Sequence, residues 1–151
     1  MHISECTMCK DDAVRVFTVG HSTRSFGEFL ALLREFRIQM IIDIRRYPSS
    51  RKFPHFNSEP LRTSLEREGI EYIWLEDLGG RRHERGDLAT PNVGLRSSGF
   101  RGYADHMLTE EFRTSVQKIV SFASKRRVAV MCAERLYFKC LHLKISCLFS
   151  C

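Results

Sequence analysis

The run Val128-Ala-Val-Met-Cys-Ala-Glu134 ends four apolar residues in a thiol and a carboxylate. Cys132 has the chemistry of a nucleophile or a metal ligand, and Glu134 that of an acid, a base or an orienting group. A thiol that faces arginines at a strand end is drawn toward its thiolate. Two earlier runs share the form. Val16-Phe-Thr-Val-Gly-His21 ends in Gly20, His21 and Ser22, and Met40-Ile-Ile-Asp-Ile-Arg45 carries Asp43 and ends in Arg45 and Arg46. His21 could serve as a ligand, as a general base or as a structural histidine with both nitrogens satisfied. Asp43 interrupts an apolar run, so its charge must meet an arginine, a backbone amide or a metal.

Buried strands must deliver these groups to one edge. Short apolar runs rich in β-branched residues read as interior strands of a parallel sheet, and such sheets bind ligands beyond the carboxyl ends of their strands. The pattern places strands at 15–19, 40–45, 71–75 and 128–133, with helices between them. The fold class expected is α/β: a mostly parallel sheet flanked by helices, three layers deep, in one domain over 14–151 with residues 1–13 as a tail. Ser25 and Glu28 have capping-box spacing ahead of a helix over 26–36. A second helix runs from about 59 to 68 and ends at Gly69. A short one covers 100–107, and a longer amphipathic one covers 110–124. The first-turn amides of the 26–36 helix could hold an anion near Ser22 and Arg24.

Loops supply the rest of the expected site. The stretch from Arg45 to Phe56 mixes basic residues with Tyr47, Phe53 and Phe56, a composition that grips phosphates and stacks on bases, or simply tucks its rings into the core. Asn57 follows it. Gly79 and Gly80 would let backbone approach a ligand closely, and Arg81 adds charge. Arg101 and Tyr103 belong to a second aromatic and basic stretch. Residues 83–99 read as a long loop of the kind that forms a lid or binding loop.

Composition bounds the function. The chain has 151 residues, a net charge of +6 and an isoelectric point near 9.2. That favours anionic partners, small molecules or nucleic acid, unless the charge is only a solvated surface. No apolar run approaches the roughly 20 residues of a membrane span, and the N-terminus lacks an apolar signal core, so a cytoplasmic protein without membrane contact is expected. Six cysteines in such a chain read as thiols rather than a disulfide framework. Cys6 and Cys9 form a CxxC that could be half a zinc site, a redox pair or incidental. Cys132, Cys140 and His142 are candidate metal ligands. No glycine-rich nucleotide motif or Ser-His-Asp signature names a cofactor.

Taken together, Thr18-Val-Gly-His-Ser-Thr-Arg24, Asp43-Ile-Arg-Arg-Tyr-Pro48, Phe56-Asn57, Leu78-Gly-Gly-Arg81, Phe100-Arg-Gly-Tyr-Ala-Asp105 and Met131-Cys-Ala-Glu134 resemble the domain-of-unknown-function 488 family. The resemblance covers residues 14 to about 140 and implies a single α/β domain without naming a reaction. The family pattern continues His-Arg after the second cysteine, whereas here Leu141 and His142 follow Cys140 and nine residues remain. A truncation or shifted frame would account for that. It would expose apolar surface and make the chain self-associate. Two functions follow. In one, an enzyme acts on an anionic substrate clamped by Arg24, Arg45 and Arg81, with Cys132, Glu134, Asp43 and His21 as its catalytic groups. In the other, a non-catalytic module binds nucleic acid through the 45–56 loop and the 100–107 segment.

Overall fold

The computed structural model describes residues 3–8, 14–79 and 98–133. Apolar runs become strands where both faces can be covered. Strands β1 (Ile3–Met8), β2 (Val14–Gly20), β3 (Met40–Asp43), β4 (Glu71–Trp74) and β5 (Val128–Cys132) join in the order β1-β2-β5-β3-β4. The β2–β5, β5–β3 and β3–β4 pairs are all parallel. The four expected strands are therefore neighbours in a parallel sheet. The N-terminal stretch read as a tail contributes β1, which pairs antiparallel with β2 at the edge. Cys6 lies in β1, while Cys9 lies outside the described residues.

Side-chain alternation splits the core in two. Val16, Met40, Ile42, Ile44, Val128, Val130 and Cys132 belong to one face, under helices α3 (Ser98–His106) and α4 (Glu110–Ala123). Phe17, Val19, Ile41, Ala129 and Met131 belong to the other, under α1 (Phe26–Glu35) and α2 (Ser58–Arg67). These are the three layers expected. The capping box at α1 is complete: Ser25 Oγ accepts the Glu28 amide and Glu28 accepts the Ser25 amide. Gly69 follows α2 at φ +74°, a conformation that favours glycine.

The connections set the site. After β2 and β3 the chain crosses to the α1/α2 face, and after β4 it passes to the α3/α4 face. The connections leaving β3 and β4, adjacent strands, thus part to opposite sides of the sheet. Among the described residues no helix is long and apolar enough to cross a membrane. The closing segment, with the side chains expected to drive self-association, lies outside the described residues.

Candidate functional site

Asp43, the last residue of β3, is fully buried on the α1/α2 face. Its charge is met as buried charge requires, by a guanidinium and directed hydrogen bonds. Arg45 donates from its backbone amide (3.0 Å) and Nε (2.9 Å) to Oδ1, and from Nη2 (2.6 Å) to Oδ2. Tyr72 Oη on the neighbouring β4 donates to Oδ2 at 2.7 Å. Burial, with the Asp43 charge second, pushes the Tyr72 phenol well above its ordinary value, so it stays a donor. The Arg45 side chain is only 8% exposed. Its Nη2 also donates to Phe56 O at 2.7 Å and its Nη1 lies 3.3 Å from His21 Nε2. Arg45 turns inward and ties β3, the 3₁₀ turn Pro54–Phe56 and His21 together.

His21 follows β2 at the same edge. Gly20 lies opposite Cys132, and the His21 and Ser22 amides donate to Cys132 O and Ala133 O at 3.1 and 3.0 Å. His21 Nδ1 lies 2.9 Å from Ser22 O. A carbonyl can only accept, so Nδ1 carries the proton and Nε2 is left to accept from Arg45. The ring stacks on Phe56 with centroids 4.5 Å apart. Burial, then the Arg45 charge, lowers its pKa from 6.5 to about 4. His21 is thus neutral near pH 7 with both nitrogens engaged.

The other expected residues fall into three groups. Ser22 is half-buried at φ 48°, a left-handed position. Arg24 is half-buried and donates back to Gly20 O, and Arg46 pairs with the exposed Glu76 at 3.4 Å. Asn57 precedes α2, yet its side chain accepts the Ser50 amide and holds the loop rather than capping the helix. Gly79 is buried against Arg46: a Cβ there would lie 2.7 Å from Arg46 N and Cα. These five border the C-terminal edge. Cys132 ends β5 at that edge, but the residue is only 5% exposed and its side chain belongs to the core on the opposite face from Asp43. Tyr103 is also core, its hydroxyl donating to Leu78 O at 3.3 Å, and Arg101 is half-buried on the same helix. Gly80, Arg81, Glu134, Cys140 and His142 lie outside the described residues. Among the described residues no group of three His, Cys, Asp or Glu is placed to hold a metal.

Three participants had gone unremarked as such: Tyr72, Phe56 as the stacking partner of His21, and Trp74, whose Nε1 donates to Arg45 O at 2.8 Å. For Tyr72 and Trp74 the signal is their alternation along β4, because both share the face of Asp43 in the register that sets Asp43 beside Trp74.

The chain belongs to the family described as Domain of unknown function DUF488, whose model matches residues 25–145. A search of the curated proteins found no match, and neither did a search of the solved structures.

Proposed function

We propose that this domain binds a phosphate-bearing anion in the crevice at the C-terminal ends of β3 and β4. The observation that carries this reading is the parting of the two connections, one to each face of the sheet. Such a switch point is where open α/β sheets leave room for ligands. The surroundings suit an anion. Arg46 lies at the crevice and Arg51 and Lys52 are exposed on the loop beyond it. An open depression of about 590 Å³ beside them is lined by Ser49, Ser50, Arg51, Pro54 and Asn57. The buried Asp43–Arg45–Tyr72–His21 network is the preformed base from which that loop leaves the sheet.

Inorganic polyphosphate tests this. Binding should be measurable at low salt and fall steeply as salt is added. Arg46→Ala and Arg51→Ala should each weaken it several-fold, whereas Lys118→Ala on α4 should not. Absence of binding at low salt, or equal loss in all three variants, refutes the reading.

A second reading, chemistry on the bound ligand by Cys132, rests on the place of this residue at the end of β5, where its carbonyl accepts the His21 amide. It requires the thiol to be reachable. Alkylation of Cys132 in the native protein at neutral pH would support it, and protection until unfolding would count against it.

A further inference from the structure

Building on the phosphate-binding reading, we propose that the ligand of this crevice is single-stranded nucleic acid, with an unstacked base resting on the rings of Tyr47 and Trp74. Only three large hydrophobic residues stand exposed among the described ones, and two of them are here: Tyr47 at 62% and Trp74 at 39%. Trp74 is the chain's single tryptophan. Its one polar atom is already bonded to Arg45 O. The indole is thereby held by its edge, and what it still shows to solvent is carbon surface. Tyr47 follows Arg45 by two residues, so the two backbones lie within roughly 7 Å of one another. The indole is thus fixed at the carbonyl two residues before Tyr47. The other aromatics of the loop do not join them: Phe56 is buried and Phe53 half-buried.

The charges around the two rings choose the ligand. Arg46 stands between Arg45 and Tyr47, and Arg51 and Lys52 continue the positive line along the loop. A cationic track beside exposed aromatic faces is what a strand of alternating phosphates and bases needs. A duplex hides its base faces in the stack, so its bases could not use the rings. A mononucleotide would use one cation and leave the others idle. Peptide partners of opposite charge would satisfy the arginines, but they give no reason for two flat rings at the head of the track.

Tryptophan fluorescence of the intact chain reads this directly. A twelve-residue oligothymidylate should bind and quench Trp74. Inorganic polyphosphate should bind through the cations without quenching. Tyr47→Ala should weaken oligothymidylate binding by roughly 5- to 150-fold, the usual worth of one base–aromatic stack. The same variant should leave polyphosphate binding unchanged. Tyr47 is exposed, so its replacement should spare the fold, and Tyr47→Phe should keep the affinity. Equal binding of a matching duplex overturns the proposal, as does an oligothymidylate affinity indifferent to Tyr47→Ala. Thymidine monophosphate binding as tightly as the oligomer overturns the claim of a strand. In each of these cases polyphosphate still binds, and the phosphate reading survives. If polyphosphate fails as well, both fall together.

Discussion

Replacing Arg45 with methionine keeps the length and apolar stem of the side chain and deletes its guanidinium. Asp43 would then sit fully buried with only the Arg45 backbone amide and the Tyr72 hydroxyl to solvate its charge. Breaking a buried ion pair from one side costs about 3–5 kcal/mol. Phe56 O would also lose its donor, a loss worth roughly 1–3 kcal/mol where water cannot replace it. The two losses share one side chain and will not add in full, so we expect a total near the upper part of 3–5 kcal/mol. Urea unfolding should show a lower midpoint with an unchanged slope. The triple variant Asp43→Leu, Arg45→Met, Tyr72→Phe removes the charge and its orphaned partners together. It should be more stable than Arg45→Met alone, because an apolar replacement of a buried pair avoids the uncompensated charge. If Arg45→Met lies within about 1 kcal/mol of the parent, the carboxylate is being solvated some other way and the account of this corner is wrong.

Three further outcomes are expected. His21 has a folded pKa of about 4 against 6.5, so between those values the unfolded chain holds a proton that the folded chain does not. Stability should rise with pH across that window by up to about 3 kcal/mol and gain nothing further from His21 above it; urea midpoints at pH 4.5 and 7.5 for parent and His21→Gln test this, and an unchanged slope in the variant refutes it. Gly79→Ala drives a Cβ into the Arg46 backbone, which should cost roughly 1–3 kcal/mol and weaken polyphosphate binding as the loop shifts. Ser25→Ala removes the capping box of α1 and should cost about 1 kcal/mol in thermal or urea unfolding, with no effect on binding.

The interior strands were legible because strands buried on both faces are written as unbroken apolar runs, which a single sequence shows without its neighbours. Strand β1, Ile-Ser-Glu-Cys-Thr-Met, lacks that signal, since an edge strand is held largely by backbone bonds that leave little trace in side-chain type. The need of Asp43 for a partner was also legible, and both an arginine and a backbone amide meet it. That the partner is its own second neighbour and not a remote clamp was less so, because Arg45 could equally have faced out. The Tyr72 contact spans 29 residues of sequence and exists only through the β3–β4 register. The face of Cys132 was readable in principle: Val128, Val130 and Cys132 alternate together, so a thiol in phase with core valines points into their layer.

The buried network is costly to desolvate, and an apolar trio would hold β3 to β4 at less electrostatic expense. Apolar contact is non-directional, however, and could not fix the geometry seen here. One guanidinium bonds Asp43 and Phe56 O while lying against His21, and the backbone carbonyl of the same residue takes the Trp74 indole proton. Four chain segments, ending β2, β3 and β4 and opening α2, are thereby held through a single residue. The bonds to Asp43, Phe56 O and His21 need the rigid fork of several donors, which lysine lacks. Under the proposed reading, the arginine between β3 and the basic loop would act on a ligand indirectly. It sets where Arg46 and Tyr47 leave the sheet, from a side chain that is only 8% exposed.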